Sequence, residues 1–287
     1  MNRRHFLLVG SAAMASPLLF PGRSFAQSAG PALPQSGADG WVSLMNGKDL
    51  SGWYTMLQKS GKGVAEKRNM VAMEESMLHV MGNQEGGEPA EPGYLATYQE
   101  YENVHIRVEY KWGMKRFAPR TYVKRDNGLL YGLVGADKVW PTCVECQIEE
   151  GDVGDYFMVG TRGVQDEHYA GIFGETLSPE GWPGPPPARK LPPPQPPTAG
   201  QFDPSSFRKI KDGNFEILDG WNTVEVIWQG DRSAHIINGR TVNTASKLEQ
   251  PDPQNPGQFI PLTRGKIAIE IEFAEIWFRR IEVKSLA

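Results

Sequence analysis

Val104-His105-Ile106-Arg107-Val108-Glu109-Tyr110-Lys111-Trp112 decides the fold class, because apolar and polar side chains alternate along its whole length. Successive strand residues point to opposite faces, so Val104, Ile106, Val108, Tyr110 and Trp112 form an apolar face, and His105, Arg107, Glu109 and Lys111 a polar one. The same period recurs down the chain. Val224, Val226 and Trp228 alternate with Glu225 and Ile227, and the chain then crosses Gln229-Gly230-Asp231 into Ala234-His235-Ile236-Ile237. Asn238-Gly239 predicts a tight hairpin that returns as Arg240-Thr241-Val242. Lys266 to Glu272 and Ile276 to Val283 repeat the style. Short strands between turn signals, with no long amphipathic helix, make an all-β chain.

Two stretches interrupt the strands. Residues 182–201 carry Trp182-Pro183-Gly184-Pro185-Pro186-Pro187 and Leu191-Pro192-Pro193-Pro194-Gln195-Pro196-Pro197. Proline has no amide to donate to a sheet, so this segment reads as a surface loop. A smaller Pro/Gln-rich loop spans Gln250 to Pro261.

The N-terminus reads as an export signal. Paired Arg3-Arg4 precede Phe6-Leu7 and an apolar run reaching Phe20, the pattern of a twin-arginine signal peptide, with cleavage expected after Ala26. The run is too short and too broken by Gly10, Ser16 and Pro17 to span a bilayer. The expected organisation is a signal over 1–26, a flexible tether over 27–40 and one domain over 41–287, located in the periplasm or outside the cell. The chain of 287 residues carries a formal charge of −4; losing Arg3, Arg4 and Arg23 with the signal takes it to −7. Such acidity argues against a nucleic-acid partner.

The two cysteines, Cys143 and Cys146, stand three apart. In a strand they leave opposite faces, which is poor geometry for a disulfide, so they read as buried thiols.

Several collinear patterns resemble the family of 3-keto-disaccharide hydrolases. Trp41-Val42-Ser43-Leu44-Met45-Asn46-Gly47-Lys48-Asp49-Leu50-Ser51-Gly52-Trp53 is similar to its N-terminal signature, Phe-x-x-Leu-Phe-Asn-Gly-Lys-Asp-Leu-x-Gly-Trp. Gly93-Tyr94-Leu95-Ala96-Thr97 resembles its Gly-x-Leu-x-Thr, and Val144-Glu145-Cys146-Gln147-Ile148 its Tyr-Glu-Val-Gln-Ile. Tyr169-Ala170-Gly171-Ile172-Phe173-Gly174, Gly220-Trp221-Asn222-Thr223, Asn238-Gly239-Arg240 and the Gly265–Glu272 and Phe278–Ile281 segments follow in the family's order. The resemblance implies a concanavalin A-like jelly roll of two antiparallel sheets, with a carbohydrate cleft on a concave face. It also implies action on glycosides oxidised at C3, by hydrolysis or by elimination and hydration. The chain departs from the pattern at Asp126-Asn127-Gly128, which stands where the family usually has Asn-Ser-Gly, at Glu270 in place of Gln, and at Arg280 in place of Asn.

The chemistry can be set against the residues. A 3-keto group acidifies the hydrogen at C2, so the site needs a base, an enolate stabiliser and an acid for the leaving group. Glu145 and Gln147 lie two apart on one strand and share a face, as do Glu270 and Glu272 on another. If both strands belong to the concave sheet, three carboxylates and an amide converge. We therefore take Glu145, Glu270 and Glu272 as catalytic candidates and Gln147, Asn127, Lys111, Arg107 and Trp140 as substrate-binding candidates. The carboxylates could divide acid and base roles or hold a divalent cation. Among the histidines, His168 is a candidate proton carrier. A non-catalytic carbohydrate-binding module and a docking domain of a larger exported complex are the competing readings.

Overall fold

The computed structural model describes residues 39–84, 89–166 and 207–286. The expected signal peptide, most of the tether, the Pro-rich loop at 182–201, Trp182, His168 and the 169–174 turn lie outside the described residues. In chain order the strands are β1 Trp41–Ser43, β2 Trp53–Leu57, β3 Gly61–Lys62, β4 Val71–Glu74, β5 Met77–Val80, β6 Gly93–Tyr101, β7 Val104–Arg116, β8 Asp126–Val134 and β9 Thr142–Glu149. There follow β10 Tyr156–Val159, β11 Arg162–Gln165, β12 Arg208–Lys209, β13 Asn222–Gln229, β14 Arg232–Ile237, β15 Arg240–Pro251, β16 Phe259–Pro261, β17 Gly265–Ile271 and β18 Ala274–Ser285.

They make two antiparallel sheets. One runs β11-β15-β14-β13-β7-β18-β5-β4, with β1 beside β18 and β16 beside β15; the other runs β12-β10-β9-β8-β17-β6-β2-β3. The chain moves repeatedly between sheets, as from β6 to β7 to β8, and the result is a jelly-roll sandwich. Its core forms where the alternating apolar faces meet: Ile106, Val108, Tyr110, Val224, Val226 and Trp228 from the first sheet pack with Leu129, Tyr131, Val144, Cys146, Ile267 and Ile269 from the second. The hairpin forms at the expected place. Asn238 and Gly239 take φ of 50° and 78°, the left-handed conformation that a two-residue turn between twisted strands requires.

Cys143 and Cys146 are free and buried. Cys146 belongs to the core between the sheets, whereas Cys143 joins a small apolar group with Tyr54, Tyr94, Ala96, Leu130 and Ala268 on the other face of the second sheet. That outward face carries the site.

Candidate functional site

The expectation that the Glu145 and Glu270 strands share a sheet is met, with β8 between them. Register then fixes the neighbours. Leu130 pairs with Glu145, Gly128 with Gln147 and Asp126 with Glu149, while Ile269 of β17 pairs with Leu129. The odd positions Leu129 and Tyr131 enter the core, so Asp126, Gly128, Glu145, Gln147, Glu149, Glu270 and Glu272 all leave the outward face. Gly128 is the floor of this group. A Cβ there would stand 2.7 Å from Glu145 Oε1 and 2.8 Å from Glu270 Oε2, so the two oxygens are at most about 5.5 Å apart. Any other residue at 128 would occupy the space they enclose.

The five carboxylates divide into two sets. Arg120, from the loop between β7 and β8, reaches Asp126 Oδ2 at 2.6 Å, Glu272 Oε1 at 2.7 Å and Glu149 Oε1 at 3.7 Å. Among the described residues no cation forms a salt bridge with Glu145 or Glu270, which are 7% and 3% exposed. Burial pushes the Glu145 carboxyl far above the usual range, and the negative charges of Asp126, Glu272 and Glu149 add to it. Glu270 is raised in the same way, by burial and then by Glu145, Glu272 and Asp126. Glu272 is also raised by burial, against the opposing pull of Arg120. Asp126 is pushed up to about 7 by burial and Glu272, and Glu149 to about 7 by burial and Asp126. Around neutral pH the group therefore holds protons that water-exposed carboxyls would have released.

Stability should report this directly. Between its unfolded pKa of about 4 and its folded value of about 7, Asp126 keeps a proton that the unfolded chain has lost. Its contribution to stability then falls as pH rises through that window. Asp126→Asn, which cannot ionise, should be more stable than wild type by a few kcal/mol, in order of magnitude, at pH 8 and about equal to it at pH 4. Urea unfolding at the two pH values checks this; a difference independent of pH would refute it.

The remaining sequence candidates fall elsewhere. Arg107 and Lys111 do not line this face. They lie on β7 of the other sheet and leave its outer side, where Arg107 pairs with Glu282 and covers the Trp41 ring at 3.9 Å. Alternation within β7 gave their shared face correctly but could not say which sheet β7 joins. Asn127 points into the sandwich, and its Nδ2 donates to the Glu270 backbone carbonyl at 2.7 Å, so it ties β8 to β17 instead of facing a substrate. Trp140 is half-buried in the loop 135–141, whose Val139 packs on the apolar group at the edge of the outward face. Gln147 lies among the carboxylates; its Oε1 accepts the Ile148 N–H at 3.1 Å, leaving the Nε2 hydrogens as donors.

Asp126, Glu149 and Arg120 were missed. Glu149 continues the Glu145, Gln147 alternation and was legible there. Asp126 needed the knowledge that β8 separates β9 from β17, and Arg120 sits in a loop with no pattern.

Carboxylate oxygens are the donors a hard divalent cation takes, and Asp126 Oδ1 and Glu270 Oε2 are buried without hydrogen-bond partners. Among the described residues, however, no three His, Cys, Asp or Glu side chains are arranged to hold an ion. Arg120 stands where Asp126, Glu149 and Glu272 converge. As placed, these side chains do not form a cation site, and the chemistry below runs through protons alone.

Fold and site define a jelly-roll sandwich with a buried acidic group on one sheet face. The profile of the 3-keto-α-glucoside-1,2-lyase-like domain matches residues 40–284, and the chain belongs to that family. No curated protein sequence matches it. Among solved structures, a presumed glycosyl hydrolase from Parabacteroides distasonis is 17% identical with a TM-score of 0.49, over 87% of this chain and 95% of that one. The carbohydrate-binding module CBM66 from Bacillus subtilis is 9% identical with a TM-score of 0.39, over 88% and 99%. The exoplasmic/lumenal domain of VIP36, in its Ca2+/Man3GlcNAc-bound form, is 7% identical with a TM-score of 0.43, over 88% and 90%. Among the described residues no helix is long and apolar enough to cross a membrane.

Proposed function

We propose that the protein cleaves the glycosidic bond of 3-keto-glycosides by elimination followed by addition of water, with Glu145 and Glu270 as the acid and base. The supporting observation is the meeting of these two carboxyls over the bare backbone of Gly128, both buried. Two such groups cannot both ionise cheaply, so they share a proton, and a pair holding one proton offers a base and an acid together. The ionised member removes the C2 hydrogen. A C1–C2 double bond forms as the C1–O bond breaks, and the protonated member gives its proton to the departing oxygen. Water then adds, its hydroxyl to C1 and its proton to C2, and the sum is hydrolysis. Gln147 donates a hydrogen bond to a substrate oxygen, and Glu272, paired with Arg120, supplies fixed negative charge.

Family membership supports the substrate class. We further propose, from Arg3-Arg4 and the apolar run after them, that the protein is exported folded by the twin-arginine route.

Incubating the mature chain with 3-keto-trehalose, with and without a chelator, tests the reading. Release of glucose that persists in chelator is the expected result. Sugar binding without turnover under any metal condition would replace the enzyme by a carbohydrate-binding module.

A further inference from the structure

The acid pair over Gly128 can hold its one proton in two ways, on Glu145 or on Glu270, and the two carboxyls have different surroundings. Glu145 Oε1 and Glu270 Oε2 both border the space that a Cβ on Gly128 would fill. Glu270 Oε2 is buried there without a hydrogen-bond partner among the described residues, so this oxygen faces the space a substrate atom would enter.

On the Glu270 side the neighbours are acids. Ile269 pairs with Leu129, and the same register continued sets Glu270 beside Gly128 and Glu272 beside Asp126. The Glu272 carboxyl is in hydrogen-bond contact with those of Glu270 and Asp126. Two carboxyls can share a hydrogen bond only when one of them carries a proton. Arg120, 2.7 Å from Glu272 Oε1 and 2.6 Å from Asp126 Oδ2, favours Glu272 as the anion. Glu272 is then the acceptor and Glu270 the donor. Across the sheet from Glu270 stands Tyr94 of β6, whose hydroxyl turns away to Asp137 at 3.3 Å.

On the Glu145 side there is a cation. Glu145 pairs with Phe157 of β10, and Phe157 with Arg208 of β12, so the three side chains leave one face in a single row. The Arg208 guanidinium lies 5.4 Å from the Phe157 ring and is held by Asp155 Oδ2 at 2.5 Å and Asp152 Oδ2 at 3.0 Å. Burial comes first in raising both carboxyls, and the acids around them add to it. Arg208 opposes that rise at Glu145, whereas at Glu270 the hydrogen bond to Glu272 increases it. Cys143, two residues before Glu145 on the same face, is kept neutral by burial and by the pair itself.

We infer that the proton of the pair rests on Glu270, which passes it to the leaving oxygen, and that Glu145 is the base that takes the C2 hydrogen. The assignment rests on the catalytic reading above. In elimination Glu145 gains the C2 proton, the C1–C2 double bond forms, and the C1–O bond breaks as Glu270 protonates the departing oxygen. In hydration Glu270 takes a proton from water while the hydroxyl adds to C1, and Glu145 returns its proton to C2. The pair ends as it began.

Leaving groups separate the two roles. p-Nitrophenolate departs without being protonated, and a sugar hydroxyl does not. In Glu270→Gln, kcat for 3-keto-trehalose should fall about 10²–10⁴-fold and that for p-nitrophenyl 3-keto-glucoside about tenfold or less. In Glu145→Gln both should fall about 10²–10⁴-fold. Any other distribution of losses, the reverse pattern included, overturns the inference. If wild type turns over neither substrate, the catalytic reading has failed on its own, and infrared spectroscopy decides where the proton sits. At pH 8, above the value of about 7 to which Asp126 and Glu149 are raised, wild type should show the carbonyl stretch of a buried, protonated carboxyl. Loss of that band in Glu270→Gln and its survival in Glu145→Gln sustain the placement. Its loss in Glu145→Gln, its survival in both variants or its absence from wild type overturns it.

Discussion

Glu145→Gln should lower kcat on a 3-keto-glucoside by about 10²–10⁴-fold, the usual contribution of one general acid or base, while KM changes little. Glutamine keeps the shape and the hydrogen-bonding edge of the side chain over Gly128 but cannot take or release the proton. The same substitution removes a buried carboxyl whose ionisation burial and three acidic neighbours oppose, so the variant should melt no lower than wild type at pH 8. Activity and stability then move apart, which a merely structural residue would not allow. Turnover at the wild-type rate in Glu145→Gln would remove it from the mechanism.

Arg120→Met should cost the most stability of any single change at the site. Among the described residues, its guanidinium is the one cation in salt-bridge contact with Asp126, Glu149 and Glu272, and breaking a buried ion pair by deleting one partner typically costs about 3–5 kcal/mol. Arg120 is 26% exposed on its side chain, and solvent screening takes the expected cost below that range, to about 2–3 kcal/mol at pH 8. The loss should shrink at pH 5. There Asp126 and Glu149, raised to about 7, are protonated, and most of the charge that Arg120 balances is gone. Asp126→Asn in the Arg120→Met background should recover part of the loss at pH 8. Chemical unfolding of the three variants at both pH values checks the set; a cost that is the same at pH 5 and 8 would show that Arg120 acts by packing alone.

The alternations that gave β7, β13, β17 and β18, and the Asn238-Gly239 turn, depend on side chains only two to four residues apart, and they were legible for that reason. The convergence of Glu145 with Glu270 was legible as a conditional statement, because it needed only that both strands share a sheet. Strand order is a long-range property, set by which apolar faces pack together and not by any local pattern. Arg107 and Lys111 were misplaced on that account, and Asp126 overlooked. Asn127 shows a different limit: alternation puts it opposite Asp126, but a polar residue inside the sandwich has no sequence signature until its partner, the Glu270 carbonyl, is seen. Arg120 is the hardest case, a loop residue whose importance comes wholly from the acids it meets.

Cys143 and Cys146 leave β9 on opposite sides, one into the core and the other into the outward apolar group, and burial holds both thiols far from ionisation. They can neither pair with each other nor readily attack an oxidant. The sandwich should therefore reach the same folded state in a reducing or an oxidising environment, with no cross-link to wait for. A protein so made can complete its fold before it crosses any membrane and keep that fold afterwards unaltered.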